Sequence, residues 1–170
     1  MSELTLDQVL TQSREAHKDT VNADEPTVKL VVFALGDEWF AFYGHHIREV
    51  LASADVYFIP GCPPSLEGVI NVRGDIESVI RLNDMLHLPD SAGRSGSNIL
   101  LGRVEAMASG IRVDRVIDVL EVPQSKVQAP PANLPDHLRP LVLGILSLQG
   151  RPVAVLDLDR IFSDYARGLG

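Results

Sequence analysis

The sequence predicts a mostly β protein built as two small barrel-like halves, and three observations carry that expectation. Short apolar runs of strand length alternate with Gly- and Pro-marked turns along most of the 170 residues, a spacing that belongs to small barrels. One passage is written twice: GVINVRGDIESVIRLNDML at 68–86 returns as GILSLQGRPVAVLDLDRIF at 144–162. The composition, 45% apolar and 22% charged, is that of an ordinary globular chain. A chain of this size buries roughly 70% of its unfolded surface, enough for a packed core without staples.

The elements follow in chain order. Residues 1–27 are polar and acidic, with Leu6, Val9 and Leu10 at helical spacing, and read as a tail with room for one short helix. KLVVFALGDEWFAFYGHHIREVL (29–51) gives two strands joined by a tight turn at Gly36-Asp37, where glycine tolerates positive φ. Pro60, Gly61, Pro63 and Pro64 then forbid a helix. GVINVRG and IESVI read as a hairpin turning at Gly74-Asp75, and LNDML as a short helical turn ending near Pro89. SAGRSGS (91–97) reads as an exposed loop, and NILLGRVEAMASGIRVDRVIDVLEVP (98–123) repeats the strand-turn-strand style. PQSKVQAPPANLPDHLRP (123–140) is a Pro-broken connection into the second passage.

The two passages register at an offset of 76 (144 minus 68). Gly68 meets Gly144, Gly74 meets Gly150, Val79 meets Val155 and Leu82 meets Leu158. Apolar character persists at Val69/Ile145, Ile70/Leu146, Val72/Leu148, Ile80/Leu156 and Met85/Ile161. A looser echo links IREVL (47–51) to VIDVL (116–120). The expectation is two similar halves, roughly 28–90 and 97–165, with exchange of strands between them allowed and a C-terminal tail at 166–170. Closing each sheet on itself removes the open edges that invite aggregation, and the groove between the halves is the natural binding site.

Charge and cysteine usage exclude several function classes. The formal net charge is −8, the wrong sign for a binder of phosphate backbones. In the first 26 residues six acids (Glu3, Asp7, Glu15, Asp19, Asp24, Glu25) oppose only Arg14 and Lys18, so half of that charge sits there. The single cysteine, Cys62 in PGCPP, forms no internal disulfide and reads as a packing residue. No basic leader opens the chain and no run approaches the about 18 apolar residues of a membrane span, so a cytoplasmic protein without direct membrane insertion is expected.

LVVFALGDEWFAFYGHHIREVL, GVINVRG, GIRVDRVIDVL and LDLDRIF together resemble the CheW family of bacterial chemotaxis coupling proteins, over about residues 28–165. Each motif alone is a weak apolar pattern; their order and spacing carry the signal. The resemblance implies two SH3-like five-stranded β-barrels packed together, with short helices. It implies no catalysis and no cofactor. Its implied role is an adaptor bridging the cytoplasmic hairpin tip of methyl-accepting chemoreceptors to the regulatory domain of a CheA-type histidine kinase, recruited to membrane-associated receptor arrays. A helical tip laid in an apolar groove is a recurrent recognition mode.

Carried over by position, Gly68, Asn71 and Arg73 of GVINVRG look like the family's functional stretch. Ile47 and Glu49 of IREV look receptor-facing, and Gly110 of GIRVD matches a glycine linked to coupling. For Arg73 the alternatives are a directed hold on a partner carboxylate and a brace between neighbouring loops. For Gly68 and Gly110 backbone geometry competes with contact, and for Ile47 core membership does. Where the family pattern reads like IVPVVDL, this chain reads IESVIRL: Glu77, Ser78 and Arg81 depart from it, while the second passage keeps Asp157. Glu77 and Arg81 share a strand face, are open to an exposed ion pair, and change the presumed partner face. The departure also motivates an adaptor for another pathway, such as surface motility or a competing adaptor.

Asp157 and Asp159 invite a metal reading, but an Asp capping the following DRIF turn accounts for them. His45-His46 reads as a solvated pair. No GxSxG, HExxH or glycine-rich phosphate loop is present, so an enzyme or a nucleic-acid binder is not expected.

Overall fold

The computed structural model describes residues 25–52, 55–89 and 98–167; the possible helix of the N-terminal tail and the 91–97 loop lie outside them. Strands β1 (Thr27–Leu35), β2 (Glu38–Tyr43), β3 (Ile47–Leu51), β4 (Leu66–Val72) and β5 (Asp75–Arg81) are followed by β6 (Asn98–Val104), β7 (Met107–Val113), β8 (Arg115–Pro123), β9 (Val142–Leu148) and β10 (Arg151–Leu156). One α-helix, α1 (Leu158–Ala166), follows β10. The strands form two five-stranded sheets, in the orders β8-β1-β2-β10-β9 and β3-β6-β7-β5-β4.

The two orders are the same order written twice. The offset of 76 carries β4 and β5 onto β9 and β10, whereas an offset of 69 (116 minus 47) carries β1, β2 and β3 onto β6, β7 and β8. In both sheets an antiparallel hairpin joins a second hairpin through one parallel pairing, Ala41 beside Val155 in the first sheet and Gly110 beside Val79 in the second. Residues 47–113 supply the whole second sheet, and 27–43 with 115–156 supply the first. Sheet membership therefore changes at 43–47 and 113–115 rather than at the 90–97 loop. The end strands of each sheet are not hydrogen-bonded to each other among the described residues.

Alternation along the strands puts apolar side chains on both faces. On β1, Val31, Phe33 and Leu35 enter a core shared by both sheets, while Leu30, Val32 and Ala34 enter a cluster on the first sheet's far face. The shared core collects Phe40 and Phe42 from the first sheet, Ile80, Leu100 and Ile111 from the second, and Leu158, Ile161 and Phe162 from α1. Ile70, Val79 and Ile99 form the smaller far-face cluster of the second sheet.

The β4–β5 hairpin turns at Arg73 (φ 51°) and Gly74 (φ 92°), one residue earlier than the sequence suggested, because Asp75 already pairs with Val72. Gln149 (φ 53°) and Gly150 (φ 75°) do the same in the second passage. Two consecutive positive φ values suit the right-handed twist of the flanking strands. The second passage also shows what Arg81 alters. Asp157 accepts the Arg160 N–H at 3.2 Å and starts α1, a cap contributing about 1 kcal/mol. Arg81 holds the matching position, and a guanidinium has no acceptor to offer. There the chain makes one helical turn, Leu86 N–H to Leu82 O at 2.9 Å, and stops at His87, whose φ is 52°.

Candidate functional site

β3 and β4 are the two end strands of the second sheet, yet side chains bring them together. Arg73, in the turn after β4, donates from Nη1 to Glu49 Oε2 at 2.9 Å and from Nη2 to Glu49 Oε1 at 2.7 Å. Glu49 projects from β3, so this fork-to-fork pair clasps the sheet's opposite ends. Asn71 supports it one step back: its Oδ1 accepts the Gly74 N–H at 2.8 Å and closes the turn that carries Arg73. Arg73 is therefore a brace, as one of its two readings had it, and its side chain stays 74% exposed.

The Arg73 guanidinium, bonded to Glu49, holds that carboxyl below its usual range, and Glu49 in turn raises Arg73. A carboxylate lowered in the folded state contributes attraction that is complete above the unfolded carboxylate range. It is lost as the pH falls through the lowered folded value. Solvent screens a pair this exposed, so its work is to fix geometry more than to stabilise.

Beside the clasp lies a cleft of about 310 Å³ whose walls include Arg48, Glu49, Arg73, Asp75, Glu77 and Ser109. A shallower cleft of about 370 Å³ adjoins it, lined by Tyr57, Asn71 and Arg73 among others. The segment over the β4 edge is unusually apolar for a surface: Tyr57 is 62% and Phe58 75% exposed. Sequence reasoning missed both, although aromatics wedged against PGCPP have little room to turn inward.

The remaining expected site residues divide cleanly. Ile47 is half-buried against the shared core and does not line the cleft. Gly68 is buried where a Cβ would stand 2.8 Å from the Tyr57 carbonyl carbon, and Gly144 repeats this against the Gln128 carbonyl oxygen, also at 2.8 Å. Both glycines admit the segment that covers a sheet edge, through the bridges Tyr57–Val69 and Gln128–Ile145. Gly110 lies inside the sheet, where a Cβ would come within 2.9 Å of Ile99 Cγ2. Glu77 faces the cleft. Arg81, about 13 Å further along the same strand by the usual rise, lies beside Arg112 instead, which binds Glu67 at 2.6 Å. The structure thus unites Glu49, Arg73, Asn71 and Glu77, and places Gly68, Gly110 and Ile47 in packing roles.

Asp157 is the helix cap and Asp159 is exposed in the first turn. Among the described residues no group of three or more His, Cys, Asp or Glu side chains could hold a metal ion. His46 is half-buried in a short 3-10 turn rather than fully solvated, and burial, with His45 beside it, holds its pKa down.

A family model described as the CheW-like domain matches residues 29–166. The chain belongs to the CheW-like family. This CheW-like chain is 32% identical over 139 residues to the chemotaxis protein CheW of Treponema pallidum (strain Nichols), covering 79% of this chain and 82% of that one. It is 27% identical to the chemotaxis protein CheW of Rhizobium meliloti (strain 1021), covering 82% and 90% respectively. The crystal structure of the scaffolding protein TtCheW from Thermoanaerobacter tengcongensis superposes with a TM-score of 0.70 at 26% identity, over 78% of the CheW-like chain and 90% of that structure.

Proposed function

We propose that this chain is a non-catalytic chemotaxis scaffold that couples methyl-accepting chemoreceptors to a CheA-type histidine kinase. The observation that carries the reading is the Glu49–Arg73 clasp on the rim of an open cleft, in a chain of the CheW-like family. The clasp holds an exposed guanidinium and two acceptor oxygens at fixed positions beside the apolar Tyr57–Phe58 segment. A rigid polar pair next to exposed aromatics suits the capture of an amphipathic helix, here the receptor's cytoplasmic hairpin tip. Each sheet packs a cluster of its own on its far face, which supports reading the two sheets as SH3-like barrels, one of which meets the kinase's regulatory domain. No helix among the described residues is long and apolar enough to cross a membrane; recruitment from the cytoplasm to receptor arrays fits a scaffold. A second reading, an adaptor for another CheW-like pathway, is favoured by the departures Glu77, Ser78 and Arg81 on β5, of which Glu77 lines the cleft.

Titration calorimetry with the cognate kinase regulatory domain and receptor hairpin fragment tests both readings. Coupling predicts binding of each, and Arg73→Ala is expected to weaken the receptor fragment by about tenfold or more while leaving the circular dichroism unchanged. Binding of neither partner by the unaltered protein rules out coupling and favours the second reading.

A further inference from the structure

Within the cleft just described, and resting on its reading as the receptor site, we propose that Glu77 is a specificity-determining residue that receives a lysine or arginine from the docked helix.

Glu77 stands directly opposite Ile70, which is 1% exposed. The pair matching it in the second passage is Val153 opposite Leu146, at 0% and 4% exposure. The fold thus asks for a valine-like residue at this register. A half-buried carboxylate on such a face loses hydration without gaining packing. Among the described residues no side chain forms a hydrogen bond or ion pair with Glu77, and the neighbouring Asp75 carboxylate is equally without one. The nearby guanidinium of Arg73 is already occupied by Glu49. The cleft wall therefore holds three carboxylates, Glu49, Asp75 and Glu77, against two guanidiniums, Arg48 and Arg73, an excess of one negative charge. A residue that breaks the pattern of its own repeat, and that no side chain bonds, points to a partner that completes it. That partner group is a cation on a helix whose apolar face covers Tyr57 and Phe58. Burial of the new pair under the helix strengthens it relative to an exposed one.

The test compares Glu77→Gln and Glu77→Val with the unaltered protein against the cytoplasmic hairpin fragment of a chemoreceptor from the organism that encodes this chain. Glu77→Gln is expected to weaken binding about tenfold and flatten its dependence on salt. Glu77→Val is expected to raise Tm by about 2–4 °C while weakening binding similarly, a split that a merely structural residue would not give. Glu77→Lys should recover affinity for a fragment in which one interfacial lysine or arginine is reversed to glutamate. Unchanged affinity and salt slope in Glu77→Gln, with Arg73→Ala still defective, overturns the inference and leaves the receptor site standing. Tighter binding by Glu77→Gln overturns it too. Failure of the unaltered protein to bind the fragment removes the receptor site and this inference with it.

Discussion

Phe33→Ala is expected to destabilise the protein by about 3–5 kcal/mol, the range for removing a buried aromatic ring. Phe33 is 0% exposed. It stacks on Phe42 at 5.1 Å and meets Phe40 at 6.0 Å between ring centroids, so its removal opens a cavity that neighbours cannot readily fill. Total stabilities of single domains run about 5–15 kcal/mol, which makes the loss a large fraction. The core around Phe33 draws on both sheets and on α1, so the whole molecule is expected to unfold as one unit. Urea titration followed both by far-ultraviolet circular dichroism and by the fluorescence of Trp39, the chain's single tryptophan, checks this. The two midpoints should coincide in the parent and the variant and shift together. A shift worth under about 1 kcal/mol, or separate transitions for the two probes, would contradict the shared core.

Gly68→Val is expected to cost about 2–4 kcal/mol, combining overpacking with the loss of two backbone hydrogen bonds. The new side chain would press on the Tyr57 carbonyl and on Val56 Cγ1, 2.9 Å from the Cβ position. Relief requires the covering segment to lift. That breaks Tyr57 N–H to Val69 O at 2.8 Å and Val69 N–H to Tyr57 O at 3.0 Å. Faster amide exchange at Tyr57 and Val69 would report the lifting directly. Gly144→Val is the internal control, because it collides with Val127 and Gln128 on the equivalent edge of the first sheet, away from the Glu49–Arg73 cleft. Comparable losses of stability are expected from both variants, with receptor-fragment binding impaired by Gly68→Val alone. Equal impairment by both would show that binding follows global stability rather than the local edge.

Much of this architecture could be read from the residues, and the exceptions share a cause. Three hairpin turns declared themselves through Gly36, Gly74 and Gly150, because local chemistry sets a tight turn, whereas the β6–β7 turn at Glu105 (φ 53°) has no glycine. The repeat at 76 residues anticipated that β4–β5 and β9–β10 are equivalent hairpins, and the faint match of IREVL to VIDVL marked the second offset of 69. Which sheet each strand joins was not legible. That choice rests on the parallel contacts Ala41–Val155 and Val79–Gly110, made between segments far apart in the chain and carried by no local pattern. The site divides the same way. Arg73 and Glu49 could be named from motif position, but their bond to each other needed the curl of the sheet. Glu77 stood out as a departure, and only the register shows that it sits opposite the buried Ile70.

The insertion of one sheet's residues inside the other's has a temporal meaning on the ribosome. Strands β3 to β7 emerge as an unbroken block and find every backbone partner within 47–113. The LVVFAL strand, made earlier, has β2 for company on one side, but its other partner β8 ends at Pro123, and β10, beside β2, at Leu156. At translation rates of about 5–20 residues per second, the earliest-made apolar strand waits on the order of 5–20 seconds for its full complement. In stalled nascent chains ending just beyond residue 140, cleavage within strands β3 to β7 should be slower than within the amino-terminal hairpin; equal cleavage of both at that length would refute this order of assembly.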